Sequence, residues 1–216
     1  MSSNLKDIFE AVDTLNPSAS LLSEENSLSI VNDWIDTGSY ALNAIFSGSL
    51  YKGIPVGRIT GFSGPSGAGK TLIVNKIIAN AQKKGYFAAV WDTEAAMDKQ
   101  SAINVGIDPA RVKYYPVETV EDCRNQIATF LDKIIAANDP NLKVIIALDS
   151  LGNLASAKEL NDVAQGKDAA DMGSKAKAMK SMMRVLTYKA AKARVPIVFT
   201  NHAVSYTHLR AHETRE

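Results

Sequence analysis

From Trp34 onward the chain alternates short apolar runs with longer stretches whose apolar residues recur at helical spacing. The runs Arg58–Ser63, Tyr86–Trp91, Val112–Pro116, Lys143–Leu148 and Pro196–Thr200 read as strands. Leu72–Lys83, Asp98–Val105, Glu118–Asn138 and Gly173–Arg194 read as helices between them. A strand followed by a helix returns to its sheet through a right-handed crossover, so the strands are expected to lie parallel. Lys143–Leu148 is nearly continuous in apolar residues, the pattern of a strand covered on both faces. The expected architecture is therefore α/β, a mainly parallel sheet flanked by helices.

The first 33 residues follow a different pattern. Leu5, Ile8, Phe9, Val12 and Leu15 recur at helical spacing with Lys6, Asp7, Glu10 and Asp13 between them, and Asn16-Pro17 ends that helix. A Ser/Glu/Asn-rich stretch runs to about Asn26, and Leu28–Val31 is a short β-prone run. Residues 1–33 thus read as an appended arm. A lone amphipathic helix needs a surface to lie on, either its own core or a neighbouring subunit. Residues 34–204 form the core. Residues 205–216 hold two of the three histidines and no hydrophobic periodicity. Their wording resembles translated sequencing-adapter read-through, so this tail is expected to be foreign and the chain an N-terminal fragment; a His/Arg-rich metal- or nucleic-acid-binding tail is the competing reading.

Composition narrows the picture without changing it. With 216 residues, 46% hydrophobic and 22% charged, the chain has the makeup of a globular protein with one sizeable core. Its single cysteine, Cys123, excludes an internal disulfide and shares an apolar helical face with Val120, Ile127, Phe130 and Ile134. No run approaches the ~20 apolar residues of a membrane helix, so no membrane partner is expected. Net charge is +1, so binding to a polyanion has to come from local clusters rather than a global field.

The chemistry begins at Gly64-Pro65-Ser66-Gly67-Ala68-Gly69-Lys70-Thr71, which fits the phosphate-loop pattern G-x-x-x-x-G-K-[ST] at every required position. An apolar run feeds into it and a helical stretch leaves it, the order that lets a helix N-terminus face a phosphate. Glycines let consecutive amides turn inward; Pro65 has no N–H, so the cradle falls to Ser66–Thr71. Lys70 would reach the β- and γ-phosphates and the Thr71 hydroxyl would hold Mg²⁺. The chain is expected to bind a nucleoside triphosphate.

Asp149 closes the most apolar strand and would face the ligand crevice, where it can hold Mg²⁺ beside Thr71; capping a following turn is the plainer alternative. Trp91-Asp92-Thr93-Glu94 ends another strand. Hydrolysis needs a group that polarises water, for which Glu94 is the first candidate and Asp92 its rival. Thr200-Asn201-His202 ends the last strand, where a polar side chain can contact the γ-phosphate.

These segments together resemble the ATPase core of RecA-family recombinases, in particular the RecA-like recombinases of tailed phages. The lead-in from Ile35 to Asn43, the stretch from Lys52 to Ile59, the segment Trp91–Asp98 and the segment Asp149–Ser156 carry the resemblance, which covers residues 28–203. It implies a P-loop NTPase core of RecA type, truncated before the C-terminal strands, with Glu94 as catalytic glutamate, Asp98 as a nucleotide contact and His202 at a γ-phosphate sensor position. An adenine-stacking aromatic of bacterial members would fall near Ser101, a departure from the pattern. The resemblance further implies ATP and Mg²⁺ as cofactors, a filament on single-stranded DNA that pairs with a homologous duplex, and docking of the arm on the adjacent subunit. Single-strand-binding and loader proteins are implied partners, and a bacterial cytoplasm the implied location. Glu159–Lys175 corresponds to the first DNA loop, with a mixed charge that equally fits a solvated surface loop. The helix after it is basic through Lys175, Lys177, Lys180, Arg184, Lys189 and Lys192.

Two rivals share parts of this pattern. A replicative-helicase or clock-type ATPase uses the same core, and a nucleotide kinase shares the loop. Kinases start near the loop and carry an arginine-rich lid, whereas 63 residues precede it here and no arginine cluster follows.

Overall fold

The computed structural model describes residues 3–24, 28–95, 97–167 and 172–202. The chain divides into two compact units, Met1–Asp33 and Trp34–Glu216. In the first, α1 (Ser3–Asp13) ends in a turn in which the Thr14 hydroxyl donates to the Ala11 carbonyl at 2.7 Å. Leu5, Ile8, Phe9 and Val12 of α1 are 40–60% exposed, so its apolar face is uncovered. Leu28–Val31, expected to be β-prone, is turn and coil.

The second unit opens with a small antiparallel pair, β1 (Trp34–Ile35) and β2 (Ile54–Pro55), joined through α2 (Tyr40–Ser47). Ser39 caps α2 and Gly48, at φ +70°, ends it in the left-handed conformation. Buried Asn43 holds this module together: its amide donates to Asp36 Oδ1 at 2.7 Å and to the Leu50 carbonyl at 2.9 Å, and its oxygen accepts from Thr37 N–H at 2.9 Å. Gly53 is required here, since a Cβ would lie 2.1 Å from the Ile35 carbonyl oxygen.

The main sheet is five-stranded and wholly parallel. Its strands are β3 (Ile59–Gly64), β4 (Phe87–Asp92), β5 (Val112–Pro116), β6 (Val144–Asp149) and β7 (Ile197–His202), in the order β3-β7-β6-β4-β5. The expected α/β class, a mainly parallel sheet flanked by helices, is the fold observed. Alternation along the strands supplies two cores. Val90, Ile145, Ala147 and Val198 face α3 (Lys70–Lys83), packing on Val74, Ile77, Ile78 and Ala81. Ala89, Trp91, Ile146, Leu148 and Ile197 face the other way, toward Val120, Cys123, Ile127 and Leu131 of α5 (Val120–Ala137) and Met182, Leu186 and Ala190 of α7 (Met172–Ala193). Trp91 stacks on Tyr115 at 4.5 Å between ring centroids, and its indole N–H donates to Gln126.

Two smaller helices complete the unit: α4 (Lys99–Asn104), capped by Asp98, and α6 (Ala157–Ala164). The second corrects an expectation. The Glu159–Lys175 stretch, read as a loop, is helical through Ala164 and again from Met172; residues 168–171 lie outside the described set. Ser156 accepts from Glu159 N–H and the Glu159 carboxylate accepts from Ser156 N–H, a reciprocal cap that starts the helix. The tail at 205–216 also lies outside the described residues.

Candidate active site

In a parallel sheet every strand delivers its C-terminal end to the same edge, and the strand order decides which ends become neighbours. Gly64 of β3 pairs in register with His202 of β7, Leu148 of β6 with Phe199, and Asp149 with Asp92 of β4. The ends of four strands therefore line one crevice, although their residues lie far apart in sequence.

The loop from Gly64 to Gly69 bends through two left-handed glycines, Gly67 at φ +75° and Gly69 at φ +80°. A Cβ at either would meet nothing within 4 Å, so backbone conformation rather than space demands glycine. Gly69 is the N-cap of α3 and brings no capping side chain, which leaves the first amides of that helix for an external anion. Lys70 is 8% exposed; its ammonium donates to the Gly64 carbonyl at 3.0 Å and the Pro65 carbonyl at 2.8 Å. Ala68 N–H donates to the Pro65 carbonyl at 3.4 Å and tightens the loop.

Across from the loop, the Thr71 hydroxyl donates to Asp149 Oδ2 at 2.7 Å, and the Thr200 hydroxyl donates to Oδ1 of the same carboxylate. A hydroxyl and a carboxylate at that distance are hard oxygen donors suited to Mg²⁺, and Thr200 fixes the carboxylate's rotation. The Asp149–Ser150 peptide bond is cis. Among the described residues no group of three or more His, Cys, Asp or Glu is arranged to hold a metal, so any cation here relies on Thr71, Asp149 and the oxygens of its ligand.

Glu94 lies just beyond β4. Its Oε1 accepts from Ser150 Oγ at 2.9 Å and Asn153 Nδ2 at 2.7 Å, and meets His202 Nε2 at 3.2 Å. Ser66, Gly67, Gly69, Lys70, Thr71, Glu94, Asp149 and His202 together line one cleft of about 260 Å³. Asp92, the alternative to Glu94, is 3% exposed and turned inward: its carboxylate accepts from Glu94 N–H, Met97 N–H and the Tyr114 hydroxyl. That binding shapes the loop on which Glu94 stands. Burial, and after it the charge of Asp92, holds the Tyr114 phenol above its ordinary range.

Asp98 does not line the cleft. Its carboxylate caps α4, accepting from Gln100 N–H at 2.8 Å, Ser101 N–H at 3.0 Å and the Ser101 hydroxyl at 2.5 Å, and the Ser101 bonds hold it below the usual carboxylate range. Three contributors escaped the sequence reading: Ser150, Asn153 and Thr200. Each sits within two or four residues of a motif residue, but only the strand order shows which of them point at Glu94 or Asp149.

A parallel sheet with a phosphate-type loop after one strand and carboxylates at two other strand tips defines the P-loop class of α/β proteins. Within that class, residues 5–206 match the RecA N-terminal domain family, and the chain belongs to it. It is 31% identical over 173 residues to the "Recombination and repair protein" of Enterobacteria phage T4, covering 79% of this chain and 42% of that protein. Protein RecA of Mycoplasmopsis pulmonis is 32% identical over 186 residues, 86% of this chain and 50% of that protein. Protein RecA of Rhodopirellula baltica is 34% identical over 170 residues, 78% of this chain and 42% of that protein. The chain thus spans about half the length of these relatives.

Proposed function

We propose that this chain is the ATP-hydrolysing part of a DNA recombinase, which forms filaments on single-stranded DNA and promotes pairing and strand exchange with a homologous duplex. The observation that carries the reading is the meeting of Lys70, Thr71, Asp149, Glu94 and His202 around one cleft, on a fold of the RecA family.

In this reading the loop amides from Ser66 to Thr71 and the Lys70 ammonium hold the triphosphate, in donor positions that need little rearrangement as charge develops. Mg²⁺ held by Thr71 and Asp149 supplies further neutralisation of the phosphate oxygens. Glu94 orients the attacking water and accepts its proton. His202, in contact with Glu94 and at the tip of β7, lies where contact with the terminal phosphate would be felt by the catalytic carboxylate.

DNA contact is assigned to α7. Lys177, Lys180 and Arg184 are all exposed and follow one another at i, i+3 and i+7, on one face of the helix. Self-association is assigned to the arm, whose α1 presents Leu5, Ile8, Phe9 and Val12 to solvent. Single-strand-binding and loader proteins would act on the resulting filament in the cytoplasm of a bacterial host. Among the described residues no helix is long and apolar enough to cross a membrane.

The test measures ATP hydrolysis with and without single-stranded DNA, with electron micrographs of the same mixtures. Stimulated turnover with open filaments is expected. Closed rings would favour a helicase-type ATPase, and turnover indifferent to DNA but dependent on a second nucleotide would favour a kinase.

A further inference from the structure

The turn Leu151–Asn153 presents a side chain that the proposed hydrolysis has so far left without a part. Asn153 Nδ2 donates to Glu94 Oε1 at 2.7 Å, with Ser150 Oγ and His202 Nε2 at 2.9 and 3.2 Å from the same oxygen. Three polar groups meet Oε1; among the described residues none donates to Oε2. A glutamate has three rotatable bonds, and ordering such a side chain costs entropy that a single hydrogen bond scarcely offsets. Anchoring one carboxylate oxygen from three sides both fixes the rotation and leaves the second oxygen to take a proton.

The turn is rigid where its side chain is not needed for packing. Leu151 and Leu154 are buried, at 7% and 0% exposure, and Lys175 donates to the Gly152 carbonyl at 2.8 Å. Gly152 itself has Asn201 Oδ1 3.0 Å from where a Cβ would stand. Asn153, in contrast, is exposed. An exposed amide gains little stability from a carboxylate partner, because water would satisfy it equally. A 2.7 Å charge-assisted bond on a pinned turn therefore serves the carboxylate more than the fold.

We propose that Asn153 is a positioning residue, acting through Glu94 by setting the direction of the carboxylate oxygen that faces the attacking water. The inference rests on the reading of Glu94 as the general base.

Asn153→Ala and the isosteric Asn153→Asp, which sets an oxygen against Glu94, are compared in the full chain with Glu94→Gln and the Glu94→Gln/Asn153→Ala pair. ATP affinity is expected to stay within about twofold while kcat falls about tenfold in Asn153→Ala and further in Asn153→Asp, the pattern of a misaligned base. In the Glu94→Gln background, Asn153→Ala should add less than about twofold. A second readout needs no turnover: the side-chain amide NMR signal of Asn153, assigned by its loss in Asn153→Ala, should move upfield in Glu94→Gln as its charged acceptor is replaced. An amide signal indifferent to Glu94→Gln overturns the inference, as does normal kcat in Asn153→Ala or an equal fall in both backgrounds. If Glu94→Gln itself hydrolyses ATP normally, the general-base reading falls and takes this inference with it. Slow Glu94→Gln beside a normal Asn153→Ala overturns the positioning role alone.

Discussion

Lys70 is the residue in which local and functional constraints meet most closely. It is nearly buried, and among the described residues its charge meets two loop carbonyls rather than a carboxylate. A buried ammonium without an anionic partner is costly, and a phosphate at the helix terminus would relieve that cost. Lys70→Ala should lower ATP turnover about 10²- to 10³-fold, with the melting temperature little changed; turnover at the parent rate would refute the phosphate role. Cys123 shows the opposite logic. It is fully buried among apolar side chains, and burial pushes its thiol from 9.0 up to about 12. The unfolded chain therefore releases this proton first, so the contribution of Cys123 to stability is complete below pH 9 and is lost as pH rises toward 12. Thiol titration of the folded protein at pH 8 should be slow, and Cys123→Ala should flatten the alkaline loss of stability in denaturant melts. At this scale much was legible beforehand. Gly64–Thr71, Asp149 and the pair of candidates Glu94 and Asp92 could be picked out because each depends on local spelling at a strand tip. Asn153, Thr200 and the contact of His202 with Glu94 do not, because 108 positions separate His202 from Glu94 and only the placement of β7 between β3 and β6 joins them.

Elements were legible where periodicity ran long. The main-sheet strands β3 to β7 and the helices α3, α5 and α7 fall within one or two residues of their expected limits, whereas the two-residue β1 and β2 were not foreseen. Among the short helices α4 was expected at Asp98–Val105 and lies at Lys99–Asn104, whereas α2 and α6 were missed. α2 and α6, at 8 residues each, are too short for periodicity to declare them and are set by their ends. The α6 signal was nevertheless present as Ser156-x-x-Glu159, a capping box obscured by the loop-like composition downstream. Ser156 is fully buried, and its hydroxyl also lies 3.2 Å from that of Ser174 in α7, so one side chain both starts α6 and meets the helix beyond. Ser156→Ala should cost about 1–2 kcal/mol through the lost cap. Urea unfolding would measure it, and hydrogen exchange should show the loss concentrated in Ala157–Ala164; a change within about 0.3 kcal/mol would mean the cap is dispensable. Gly61 illustrates the same point in a strand. Paired with Phe199, it leaves room for that ring, and a Cβ there would stand 2.4 Å from Phe199 Cζ.

For the whole molecule, charge is the quantity that would decide how it meets DNA under the proposed function. The chain carries 24 basic and 23 acidic residues, so no long-range field draws a polyanion to it. Any affinity has to arise where cations are gathered, and α7 gathers them selectively. Lys189 is paired with Asp132 of α5 and Lys175 is bound to the Gly152 carbonyl, which leaves Lys177, Lys180, Arg184 and Lys192 exposed, the first three as a stripe at i, i+3 and i+7. If each neutralises one phosphate of single-stranded DNA, each contributes about 0.7 to the slope of log affinity against log salt. Replacing all three by glutamine should therefore reduce that slope by about 2, while ATP binding at the strand tips persists. Filter binding between low and moderate salt measures it. A slope unchanged by the triple substitution would move the DNA contact off α7, whatever the outcome at the nucleotide cleft. A lost slope accompanied by lost ATP binding would instead mean that the substitutions had disturbed the packing of α7 on α5, and glutamine at one position at a time would separate the two.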